Sequence, residues 1–187
     1  SIVSNGDVKF FVNKLFPIEE DLGIEIVWLD DTDEQIKILS DYIIPRFVGV
    51  DKDLSAKFLI PIMNIVDDAD FIVGSYIVDN LRAIKDEDEI IKMKKSSNLN
   101  DKAMEKMKDK LSLDLSEREM SRFLADTYEE LGASGFSFDP IIAYGKNASN
   151  PHHENDDSKK EIGDSIVVDM GCRYLDYCSD MTRTFFY

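Results

Sequence analysis

Apolar positions along the chain follow one rhythm up to about residue 85 and another beyond it. In the first part they come as short runs, at residues 8–12, 24–29, 47–50 and 72–78, each rich enough in β-branched and aromatic residues to predict a strand. Residues 33–44 break this rhythm: Ile36, Leu39 and Ile43 fall on one helical face, Asp33 is placed to cap and Pro45 to stop the helix. Residues 54–66 are apolar but contain Pro61, which leaves the type of that segment open. Strands alternating with helical segments predict an α/β layer.

From Asp86 the pattern turns helical over a long stretch. Asp86, Glu87 and Asp88 put negative charge at the start of a helix running to about Leu111. Its predicted inward stripe is Ile90, Met93, Ser97, Asn100, Met104, Met107 and Leu111, where methionines read as core filling. Ser116 and Glu119 form a capping box for a second helix with stripe Met120, Phe123, Leu124, Tyr128 and Leu131, closed by Gly132. Strands are then predicted at 137–144, 165–168 and 182–187. Two helices followed by strands make an α+β unit, with a domain boundary near Lys85.

The last 24 residues predict a hairpin whose first strand ends in Asp169 and whose second follows Asp180. The odd separation of eleven lets the two carboxylates lie opposite one another if the turn is centred near Tyr174 and Leu175. Carboxylates held that close share a proton or a cation, and hard oxygen donors suit Mn, Mg, Zn or Co. Spacing alone equally allows an exposed hairpin with solvated aspartates. Only two histidines occur, His152 and His153, adjacent in a polar loop, where functional groups concentrate.

Composition narrows the field. With 43% hydrophobic and 32% charged residues the chain reads as globular, and a net charge of −16 opposes nucleic acid or an anionic membrane as partner. The absence of a long apolar run or a signal-like start points to a cytoplasmic setting. The acidic groups around Asp30, Asp31, Asp33 and Asp67, Asp68, Asp70 lack EF-hand spacing and read as turn and cap residues. Cys172 and Cys178 flank the hairpin turn, so a disulfide is conceivable, but reduced thiols suit a cytosolic protein better.

The runs V-V-D-M-G and S-D-M-T-R-T-F, with F-S-F-D-P-I-I-A-Y-G-K-N-A-S-N-P-H-H upstream, resemble the creatinase, aminopeptidase P and prolidase family of pita-bread metallopeptidases. The resemblance implies the first half of a pita-bread catalytic domain over residues 86–187, preceded by part of a creatinase-like α/β domain over residues 1–85. It implies that Asp169 and Asp180 are metal ligands, Asp180 bridging two divalent ions, Mn foremost with Co or Zn as alternatives. His152 matches the family's catalytic histidine, which contacts the peptide near the scissile bond, whereas His153 falls where the family varies. Thr182 could hydrogen-bond a ligand carboxylate, and Arg183 and Asp176 read as surface or structural charges.

The implied activity is hydrolysis of Xaa-Pro bonds, by an aminopeptidase or a dipeptidase acting on short peptides with proline second, with a homodimer as one possible assembly. A non-catalytic peptide-binding module of the same fold and a creatinase-type amidinohydrolase are the alternatives. The family's remaining His and two Glu ligands have no counterpart in this chain, so the 187 residues read as a fragment, expected to be inactive alone.

Overall fold

Short apolar runs and frequent turns give the first part of the chain small sheets and short helices, whereas the long periodic stretch beyond residue 85 gives two long helices against a sheet. A computed structural model describes residues 2–4 and 6–187, and the chain divides into two units, Ser1–Ile84 and Lys85–Tyr187.

In the first unit β1 (Ile2–Ser4), β2 (Asp7–Asn13) and β3 (Glu25–Leu29) form one sheet, with β1 antiparallel and β3 parallel to β2. A second pair, β4 (Phe47–Val50) and β5 (Asp70–Val73), is parallel. Helices α1 (Gln35–Asp41), α2 (Ala56–Ile65) and α3 (Ser75–Ala83) connect and follow these strands. Val12, Leu29, Ile62 and Val66 are its buried apolar side chains.

Three expectations change here. The open segment 54–66 is helical, with Pro61 inside α2. Residues 72–78 are not one strand: β5 ends at Val73, and Ser75, whose hydroxyl meets Asp51, begins α3. A short apolar run fits either element, and only its neighbours decide. Asp33 does not cap α1; its carboxylate accepts the Asp30 backbone N–H at 2.6 Å and closes the preceding turn.

In the second unit α4 (Glu87–Lys110) opens with Asp86 and Glu89 in a capping box. Helix α5 (Glu117–Leu131) opens with the predicted Ser116–Glu119 box and closes at Gly132 in the left-handed region, φ 82°. The strands are β6 (Ile141–Tyr144), β7 (Ser165–Met170), β8 (Arg173–Tyr174), β9 (Tyr177–Cys178) and β10 (Met181–Phe186). They form an antiparallel sheet in the order β10-β7-β6, with β8 and β9 pairing beyond it. The predicted strand 137–144 is thus shorter than expected, beginning after Pro140.

Ile142, Tyr144, Ile166, Val168 and Met170 on one face of this sheet pack with Met104, Met107, Met120, Leu124 and Tyr128 into a single core. The predicted stripe of α4 holds only in its second half. Ile90, Met93 and Ser97 are exposed, and Ser96, Leu99 and Ala103 face inward instead, beside the predicted Asn100. Polar bonds set that rotation: Ser96 Oγ donates to the Cys172 carbonyl (3.1 Å), Asn100 Nδ2 donates to the Met170 carbonyl (3.2 Å), and the Tyr128 hydroxyl donates to Asn100 Oδ1 (2.6 Å). Helical periodicity counts apolar residues, so a stripe defined by buried polar ones escapes it.

Candidate active site

The hairpin register differs from the expected one. Thr182 pairs with Asp169 and Met181 with Met170, and the outer pairs Arg173–Cys178 and Tyr174–Tyr177 keep the same register. The two-residue turn is therefore Leu175–Asp176, both at positive φ (45° and 66°), one residue later than the turn inferred from the sequence. Asp180 faces Gly171, not Asp169, so the two carboxylates are diagonal neighbours across the ladder. Local backbone conformation, the positive φ of Leu175 and Asp176, decides the turn and hence the register, not the pairing of the two aspartates.

Asp169 stands between Ile141 of β6 and Thr182 of β10. It is half-buried and alternates along β7 with the buried Val168 and Met170, so it belongs to the sheet face away from the core. The Thr182 hydroxyl donates to Asp169 Oδ1 at 2.6 Å, which orients the carboxylate and leaves Oδ2 without a protein donor at that contact. Asp180 is exposed and lies immediately before β10, where the ladder is interrupted. Arg183 and Asp176 are exposed, as expected.

The same register governs the cysteines. Cys172 falls opposite Ser179, whose N–H donates to the Cys172 carbonyl (2.9 Å), while Cys178 pairs with Arg173. Cys172 is buried, Cys178 is exposed, and both are free thiols.

The histidine loop follows β6. A short 3₁₀ turn, Gly145–Ser149, leads into Pro151, His152 and His153. His152 is exposed, and its backbone N–H is held by Asn150 Oδ1 at 3.0 Å. His153 is no simple neighbour: its Nε2 lies 2.6 Å from Oε2 of Glu117, a carboxylate with no solvent exposure on the first turn of α5. Glu117 Oε1 also accepts the Tyr144 backbone N–H and Asn147 Nδ2, each at 2.9 Å, and Oε2 accepts the Asp156 backbone N–H at 3.1 Å. The fourth contact, His153 Nε2 to Oε2, completes the set when the imidazole is in the tautomer that donates from Nε2.

Glu117, His153 and Asp156 also bring potential ligand atoms within 4.8 Å of one another, a spacing a cation could use. Both lone pairs of each Glu117 oxygen are, however, already occupied by N–H groups, so hydrogen bonding accounts for the cluster without an ion. Ser158 holds the Asp156 carboxyl below the usual carboxylate range through bonds from its side chain and backbone. Glu117 escaped the sequence reading because it looks like a helix-start charge. The available signal was its place on the apolar stripe of α5, three residues before Met120 and seven before Leu124.

The profile of metallopeptidase family M24 matches residues 91–187. An uncharacterised peptidase of Staphylococcus epidermidis is 38% identical over 107 residues, which is 57% of this chain and 30% of that protein. Among solved structures, the Xaa-Pro dipeptidase from Bacillus anthracis superposes with a TM-score of 0.85 at 29% identity, over 98% of this chain and 53% of that one. The X-Pro aminopeptidase from Thermotoga maritima gives 0.79 at 25% identity, over 97% and 53%. The chain thus spans about half the length of these structures and less than a third of the curated relative. The architecture is the α+β pita-bread fold.

Proposed function

This chain belongs to metallopeptidase family M24, and on that premise we propose that it is part of a dinuclear-metal exopeptidase that cleaves Xaa-Pro bonds in short peptides. Asp169 and Asp180 serve as two of the metal ligands, Asp180 as the bridge, and His152 acts on the substrate. Residues 1–85 form part of a creatinase-like N-terminal domain and residues 86–187 the first half of the catalytic domain. Mn is the favoured metal, with Co or Zn as alternatives; a cytoplasmic location and a homodimer complete the reading. Among the described residues no helix is long and apolar enough to cross a membrane.

The observation that carries this reading is the Thr182 hydroxyl bound to Asp169 across the β7–β10 ladder. A strand threonine opposite an aspartate orients that carboxylate as ligands are oriented in metal sites. Two aspartates offering hard oxygens on neighbouring strands fit a divalent cation. Bound divalent cations supply Lewis acidity and lower the pKa of water in such chemistry. This chain's own contribution is to hold them: Asp169 presents the oxygen not engaged by Thr182, and Asp180, one step diagonal to it, supplies a second carboxylate. His152, exposed on a loop moored to the sheet, is the residue assigned here to hold the substrate carbonyl or move a proton at its imidazole.

The chain offers two of the five ligand side chains that the family resemblance implies, so full activity belongs to the longer protein. In that protein Asp180→Asn is expected to abolish hydrolysis of an Xaa-Pro dipeptide or tripeptide in added Mn²⁺ while preserving the thermal unfolding transition. Near-full activity in the variant would rule out the metal mechanism. A parent protein that binds such peptides without cleaving them would favour a binding module.

A further inference from the structure

We infer that Glu117 is a positioning residue that acts through His153 to fix the loop presenting His152; this rests on the function proposed for His152 above. The observation is a buried carboxylate whose four acceptor directions all serve one purpose. Its partners are Tyr144 at the end of β6, Asn147 in the 3₁₀ turn, His153, and Asp156 beyond it. These four points bracket His152 on both sides, and one side chain ties them to the first turn of α5.

The rest of the loop is laced to the same two elements. Asn155 accepts the Ile142 N–H at 2.7 Å through Oδ1 and donates through Nδ2 to the Pro140 carbonyl at 2.8 Å, covering the open side of β6. The carbonyls of Ser158 and Asp156 accept the N–H groups of Glu117 and Arg118 at the start of α5, at 3.2 and 3.0 Å.

His152 is exposed and its side chain makes no hydrogen bond among the described residues, so its aim depends on the backbone on either side. The backbone is held mainly by Glu117. Replacing one Glu117 oxygen with an amide would set an NH₂ group against two N–H donors in one orientation and against the Asp156 N–H in the other, even with His153 in its other tautomer, and the loop would detach locally. Misplacement by about an ångström is enough to cost on the order of 100-fold in rate.

The test uses three variants: Glu117→Gln, His153→Gln, whose amide NH₂ replaces the Nε2–H donor, and His153→Leu, which has none. In the longer protein, Glu117→Gln and His153→Leu are expected to lower kcat about 100-fold with KM within about threefold, and combining them should cost no more than either alone. His153→Gln should stay within about threefold of the parent. Metal content by mass spectrometry should be unchanged; its loss in Glu117→Gln and His153→Leu would show the cluster to be a cation site and overturn the inference. In the 187-residue chain, amide exchange at Tyr144 and Asp156 should accelerate at least tenfold in Glu117→Gln and not in His153→Gln. If those amides stay protected in Glu117→Gln, the inference fails whatever the activity. If the parent cleaves no Xaa-Pro peptide, the functional reading fails while the exchange result still decides the role of Glu117.

Discussion

At the scale of single residues, partnership decides role more than residue type does. Asp169 and Asp180 are both aspartates on one hairpin, yet only Asp169 has a hydroxyl fixing its orientation. Thr182→Val in the longer protein keeps the strand shape and removes that bond, so Mn²⁺ affinity measured by calorimetry is expected to fall about tenfold. Asn100 shows the same rule in the core, where it joins Tyr128 of α5 to the Met170 carbonyl at the end of β7. Asn100→Leu leaves the Tyr128 hydroxyl buried without a partner and takes one donor from the Met170 carbonyl, and should cost about 2 kcal/mol in urea unfolding of the chain. Tyr128→Phe should cost about 1 kcal/mol in the parent and much less in the Asn100→Leu background, because the bond it removes is then already gone.

At the scale of elements, those read correctly are the ones whose signals are local. The Ser116–Glu119 box, the Gly132 cap and the stripe Met120, Leu124, Tyr128 of α5 appear as expected because a cap or a stripe lies within a few turns of its own sequence. The hairpin turn was misplaced by one residue because Leu175–Asp176 lacks the Asn-Gly signature of a turn with two positive φ angles. A leucine at φ 45° is strained. Replacing the pair with Asn-Gly should therefore stabilise the chain by about 1 kcal/mol, read as a higher urea midpoint with an unchanged slope. The α4 stripe failed in its first half because Ser96, not Ser97, is turned inward by the carbonyl of residue 172, 76 residues away in sequence.

At the scale of the whole molecule, β10 is an edge of the sheet β10-β7-β6: among the described residues no strand pairs with its other side, and Phe186 is 84% exposed. An open apolar edge invites pairing with another copy. The 187-residue chain should accordingly elute from a sizing column in a concentration-dependent manner, and Thr184→Lys with Phe186→Lys should return it to a monomer. By itself the sequence determined the change from an α/β pattern to an α+β one near residue 85, the two long helices with their caps, and the motifs V-V-D-M-G, S-D-M-T-R-T-F and N-P-H-H. Periodicity, capping and motif spacing are properties of neighbouring residues. Only the tertiary structure decided the hairpin register that sets Thr182 against Asp169, the inward turn of Ser96, and the burial of Glu117 beneath the histidine loop. Each of these depends on hydrogen bonds between residues far apart in the chain, whose partners are chosen by how the elements pack.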